Sequence, residues 1–90
     1  MNKNNLQVSV IIPVYNGETT IERCVNSVIK QTLSEIEIII INDGSTDNTC
    51  NILEELSKKD GRIKIISIKH SGQGLARNVG LEAAKGKYIG

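Results

Sequence analysis

Ninety residues with a net charge of +1 and a pI near 7.8 make one small domain with a limited core. That balance excludes the basic stripe of a nucleic-acid binder and the polybasic patch of a membrane anchor. No apolar run approaches the roughly 20 residues that cross a bilayer, and the polar start Met1-Asn2-Lys3-Asn4-Asn5 lacks the apolar stretch of a secretory signal, so a cytoplasmic chain is expected.

Leu6 to Val14 starts with alternation and ends in an apolar run, the pattern of a first strand. Pro13 cannot donate to a ladder and belongs at that strand's end. After the loop Tyr15-Asn16-Gly17, the apolar positions Ile21, Cys24, Val25, Val28 and Ile29 mark one face of a helix from Glu18 to about Gln31. From Ile36 on the chain is almost uninterrupted isoleucine, as in a strand covered on both faces, here expected from about Glu37 to Asn42. It stops at Asn42-Asp43-Gly44-Ser45, where Ser45 or Thr46 is positioned to cap a second helix with Asp47 in its first turn, next to the helix dipole. Thr49, Ile52, Leu53 and Leu56 form that helix's inner face, and Gly61 is the expected residue just past its end.

Arg62 to Ile68 reads as a third strand near the sheet edge, and Ser71-Gly72-Gln73-Gly74 opens a third helix with Leu75, Ala76, Val79 and Ala83 inward. Ala76, Gly80 and Ala84 are small enough for close approach to the sheet, Gly86 is the expected stop, and Tyr88-Ile89 begin a fourth strand. With neither Phe nor Trp, the core falls to Ile, Leu and Val. Cys24 and Cys50 lie on predicted helices, with no second pair for zinc, and are expected as buried thiols. The order predicts an α/β fold: a parallel β-α-β-α-β-α-β sheet with helices on both faces, right-handed crossovers, and a chain that reads as the front of a larger domain.

Such a sheet opens all its strand-to-helix loops on one edge, where ligands bind. That edge gathers Tyr15, Asp43 and the segment from Ser71 to Arg77. Asp43 there can accept hydrogen bonds from a base or sugar or hold a metal; the bland alternative is an Asx turn. The Tyr15 ring can stack on a nucleobase, and Asp43 can accept the imide N–H of uracil or thymine or the matching edge of guanine. Arg77, on the first turn of the third helix, has a fork that suits diphosphate, and Gly72 and Gly74 bare N–H groups at the helix start. The alternatives are a surface ion pair for Arg77 and a cover for the sheet edge in Tyr15. His70, a lone loop histidine, is more often simply solvated, though it stands near the diphosphate region. Neither a Gly-x-Gly-x-x-Gly fingerprint nor a Gly-Lys-Ser/Thr phosphate loop follows the first strand.

Val-Ser-Val-Ile-Ile-Pro-Val-Tyr-Asn, Ile-Ile-Ile-Ile-Asn-Asp-Gly-Ser-Thr-Asp and Gly-Leu-Ala-Arg-Asn-Val-Gly-Leu-Glu-Ala-Ala-Lys-Gly-Lys-Tyr-Ile together resemble the amino-terminal half of a family 2 glycosyltransferase with the GT-A fold. The likeness runs from about Gln7 to Gly90, so residues 1–90 are expected to be the nucleotide-sugar-binding portion of such a domain. It implies transfer of a sugar from a nucleotide-diphosphate sugar, a UDP-sugar above all, to a glycan, lipid or other acceptor in polysaccharide biosynthesis. It implies nucleotide-binding roles for Pro13, Val14, Tyr15, Asp43, Gly44 and Arg77, with Asn42 where many members carry a second Asp. Members continue after the fourth strand into an Asp-x-Asp or Asp-Asp element holding Mn²⁺ or Mg²⁺, and then a catalytic base. Neither is in this sequence, so no catalytic or metal-binding residue is assigned and these 90 residues are expected not to catalyse transfer alone. Location at the inner face of a membrane would then depend on other regions.

Two other readings stay open: a nucleotidyltransferase, which would place a Gly-rich basic loop after the first strand, and a non-catalytic nucleotide-binding module. The resemblance also places the fourth strand beside the first. A fourth strand of only Lys87 to Gly90 would leave much of that edge unpaired, and homo-oligomers through it are expected.

Overall fold

The computed structural model describes residues 8–31, 36–84 and 88–89. The chain runs β1 (Val8–Val14), α1 (Ile21–Gln31), β2 (Ile36–Asp43), α2 (Thr49–Lys59), β3 (Ile63–Ile68), α3 (Gln73–Ala83) and β4 (Tyr88–Ile89). The strands form one parallel sheet in the order β3-β2-β1-β4. This is the expected α/β architecture, with β3 on an edge and β4 beside β1. The expected strand start at Leu6, the stop at Gly86, and Lys87 and Gly90 of the fourth strand lie outside the described residues.

Isoleucine organises the middle of the sheet. Every residue of β2 is buried, and alternate side chains serve opposite faces. Ile36, Ile38 and Ile40 meet Ile21 and Val25 of α1 and Leu53 and Leu56 of α2 on one side. Ile39 and Ile41 meet Ile11 of β1 and Ala76 of α3 on the other. Each fully buried Ile or Leu contributes about 1.5–3 kcal/mol over its exposed state. The third helix sits close because it is thin at the contact: a Cβ on Gly80 would stand 2.5 Å from Ile11 Cγ2. One charge interrupts this apolar strand. Glu37 is 2% exposed, and its carboxylate accepts the Ser9 hydroxyl at 2.6 Å and pairs with Lys64 Nζ at 2.8 Å.

Several local expectations change. The first helix begins at Ile21 rather than Glu18, after a turn in which the Gly17 carbonyl accepts the N–H groups of Thr20 and Ile21. Ser45 and Thr46 cap nothing: α2 starts at Thr49 after Asn48, and both residues bond to the first loop instead. Gly61 stands just past the helix end, after Asp60, as expected, but without a positive φ; the Asp60 carboxylate there takes the Arg62 N–H and guanidinium. Those bonds from Arg62 hold the Asp60 carboxyl below its usual range. Cys24 and Cys50 are exposed rather than buried. At 3.6 residues per turn, Cys24 falls roughly a quarter turn from the centre of the Ile21–Val25–Val28 stripe, and Cys50 falls similarly off the line of Thr49, Leu53 and Leu56. The same offset leaves Leu75 53% exposed beside buried Ala76 and Gly80.

β4 pairs only with Val8 and Ser9 of β1, so Val10 to Val14 have no strand partner on that side among the described residues. The parallel sheet brings the loops after β1, β2 and β3 to one edge.

Candidate functional site

The loops after β1 and β2 are joined first. Asn16 stands in the left-handed region at φ 51°, a conformation Asn tolerates better than most residues. Its N–H donates to Ser45 Oγ at 2.9 Å, and its side-chain oxygen accepts the N–H groups of Thr46 at 2.7 Å and Asp47 at 3.3 Å. Gly17 N–H donates to Thr49 Oγ1 at 2.9 Å. Glu18 and the second loop exchange bonds: Glu18 N–H donates to Asp47 Oδ2 at 3.2 Å, and Asn48 N–H donates to Glu18 Oε1 at 2.9 Å. Asp47 is therefore a brace between loops more than a dipole partner. Partial burial works against its charge, but the Thr49 hydroxyl and the Thr49 and Glu18 N–H groups outweigh that and hold its carboxyl below the usual value.

The Asx turn, the bland alternative for Asp43, does not form: the local bond comes from its neighbour and reaches three residues on. Asn42 Oδ1 accepts Ser45 N–H at 3.2 Å, while its amide donates to Cys50 Sγ at 2.9 Å. Asp43, 2% exposed at the end of β2, reaches to the loop after β3. Oδ1 accepts Ser71 N–H at 2.7 Å and Oδ2 accepts Gly72 N–H at 2.9 Å. Gly72 N–H, expected to be bare at the start of α3, is thus committed to Asp43. Gly44 makes this possible: at φ 70° its absent Cβ would lie 2.5 Å from His70 N, so the backbone of His70 rests directly on it.

His70 completes the cluster. Its ring stacks on Tyr15, with centroids 4.0 Å apart and planes 29° from parallel. Its Nδ1 lies 3.1 Å from the Asp43 carbonyl oxygen and 3.2 Å from Asp43 Oδ2. Tyr15 itself is 46% exposed. Pro13 and Val14 end β1 opposite Ile41 and Asn42 and lead directly into this ring. The structure thus brings Tyr15 and Asp43 together through His70, which the sequence offered as a solvated loop histidine or a partner for phosphate or sugar, not as a partner of Tyr15 and Asp43. The sequence carried one signal for it: it follows the third strand by two residues, on the same edge as the other two. Arg77 stands apart. It is exposed, opens the second turn of α3 rather than lying on the first, and makes no hydrogen bond to Tyr15 or Asp43.

Among the described residues no three His, Cys, Asp or Glu gather where they could hold a metal ion. The one buried acid at the edge, Asp43, spends an oxygen on each of two backbone N–H groups. These residues do not fit a divalent metal. A cavity of about 240 Å³ lined by Glu22, Ile52, Glu55, Leu56 and Lys59 lies between α1 and α2 and shares no residue with this cluster.

Comparison with known proteins identifies the family of this fold. The uncharacterized glycosyltransferase EpsJ of Bacillus subtilis (strain 168) is 49% identical over 83 residues, covering 92% of this chain and 24% of EpsJ. The crystal structure of S. aureus TarS 1-349 in complex with UDP superposes with a TM-score of 0.84 at 35% identity, over 93% of this chain and 26% of that one. GalNAc-T7, solved with UDP, GalNAc and Mn²⁺, matches with a TM-score of 0.76 at 32% identity, over 93% of this chain and 17% of its own. The chain therefore spans about a quarter or less of these relatives' lengths. The sequence model described as glycosyl transferase family 2 matches residues 9–90, and with a GT-A sheet beneath the match, the chain belongs to that family.

Proposed function

We infer that this chain supplies the donor-nucleotide site of an enzyme that transfers a sugar from a nucleotide-diphosphate sugar, with UDP as the nucleotide, to a glycan or lipid acceptor. The observation that carries the reading is the Tyr15–His70–Asp43 cluster at the carboxyl edge of a parallel sheet. An exposed ring and a buried carboxylate side by side suit a base that stacks through its face and donates through its edge. An ionised carboxylate has about four lone-pair sites, so Asp43 can hold the Ser71 and Gly72 N–H groups and still accept an imide N–H. Pro13 and Val14 are assigned to frame the nucleoside, Gly44 lets the His70 backbone close onto the end of β2, and Arg77, in the second turn of α3, is assigned the diphosphate for its paired donors. The likeness to a UDP-bound structure at 35% identity supports the choice of nucleotide.

A divalent metal, Mn²⁺ or Mg²⁺, when bound in such an enzyme stabilises the departing diphosphate. The Mn²⁺ in the GalNAc-T7 structure supports its use in the whole enzyme, but the residues described here assign it no step. Pairing of two chains through the Val10–Val14 edge of β1 belongs to the same proposal, and a clean monomer by light scattering at high concentration would remove it. Titration calorimetry with UDP, GDP, dTDP and ATP tests the main reading. A preference for UDP is expected; strong ATP binding with indifference to UDP would favour a nucleotidyltransferase instead.

A further inference from the structure

The seat between Tyr15 and Asp43 is already filled. An imidazole is a flat aromatic heterocycle with an N–H on its edge, and His70 uses both features here. Its face lies on the Tyr15 ring at 4.0 Å. Its Nδ1 sits between two acceptors of Asp43, the backbone carbonyl at 3.1 Å and Oδ2 at 3.2 Å, which requires that nitrogen to carry the proton. These are the two contacts, stacking and edge donation, that the proposed function asks of a uracil.

We propose that His70 is a built-in stand-in for the nucleobase: its imidazole occupies the base's seat on Tyr15 and at Asp43, and the base enters by displacing it. The inference rests on the nucleotide-site reading above and adds a residue that sets donor affinity. The geometry allows the exchange without unfolding the loop. The backbone of His70 is fixed against Gly44, and Ser71 and Gly72 hold the loop to Asp43 through their N–H groups. Only the side chain has to move, and at 53% exposed it has solvent to rotate into. Rotation gives up one stacked ring pair and one hydrogen bond, so His70 lowers the apparent affinity for any ligand that needs the seat.

Three ligands and two variants test this. His70→Ala is expected to bind uridine and UDP roughly three- to tenfold more tightly than the unaltered chain. Pyrophosphate, which has no base, is expected to bind both equally, a distinction that a general loosening of the loop would not produce. Tyr15→Ala is expected to weaken UDP and to erase the gain from His70→Ala. In the unaltered chain, the His70 ring protons are expected to be shifted by the Tyr15 ring current in proton NMR and to lose that shift as UDP saturates. UDP binding with the His70 ring signals unmoved, or His70→Ala binding UDP equally or more weakly, overturns the inference while the nucleotide site stands. Failure of both chains to bind any nucleotide, with the ring-current shift present, removes the nucleotide-site reading and this inference with it.

Discussion

Two junctions hold the carboxyl edge of the sheet together, and they are built differently. Between the loops after β1 and β2, the load is spread over Asn16, Gly17, Glu18, Ser45, Thr46, Asp47 and Thr49, mostly through short single bonds at the surface. Between β2 and the loop after β3, it runs through one buried carboxylate, Asp43, set beside a glycine that no other residue can replace without strain. The first junction is redundant and tolerates loss of a member. The second is not, and it is the one that carries the aromatic pair. The proposed nucleotide site falls on the junction that has no spare parts.

That contrast can be broken or sharpened by substitution. The largest effect is expected from Asp43→Ala, which strands two backbone N–H groups that had a charged acceptor. It should cost about 3–5 kcal/mol in urea unfolding, a large share of the total stability of a small domain. Gly44→Ala comes next. It forces a side chain into the left-handed region and a Cβ against the His70 backbone, for about 2–4 kcal/mol with loss of the Tyr15–His70 stacking. Asn16→Ala should cost only about 1 kcal/mol, because Thr49 and Glu18 still tie the same loops. An Asn16→Ala loss equal to that of Asp43→Ala would show that the two junctions do not differ.

The smallest effect is a pH dependence. The folded state lowers the Asp47 carboxyl below its ordinary 3.8, so its stabilising contribution is full above that pH and is lost as the pH falls through the folded value. The stability gap between the unaltered chain and Asp47→Asn should therefore be constant at neutral pH and close in acid. A gap that widened below pH 4 would contradict the brace assigned to Asp47.

Much of this was legible in the sequence, and the reasons are local. The isoleucine run of β2 admits one environment, and the amphipathic spacing of α1 and α2 fixes which faces they bury. Parallel topology then places Tyr15, Asp43 and the start of α3 on one edge without further information. What the sequence did not reveal depends on distance across loops. Asn42 bonds the local backbone at Ser45 while Asp43 reaches across to Ser71, a choice between adjacent residues set by which way each side chain points off the end of the strand. Ser45 and Thr46 read as caps because their types suit caps, yet Asn16, some 30 residues away in sequence, claims them. His70 looked incidental because nothing near it in sequence explains it; its partners are Tyr15 and Asp43, drawn in from two other loops. Cys24, Cys50 and Leu75 sit at the margins of helical stripes, where a quarter turn decides between core and solvent.

The central claim is that a nucleoside diphosphate binds where Tyr15, Asp43 and the loop after β3 meet. Amide chemical-shift mapping of the isotope-labelled chain during titration with UDP tests it most directly. The account predicts saturable shifts centred on Tyr15, Asp43, Gly44 and His70 to Gly72, extending along α3 to Arg77. Saturable shifts confined to other surfaces, such as the groove between α1 and α2, or no shifts at millimolar UDP, would contradict it.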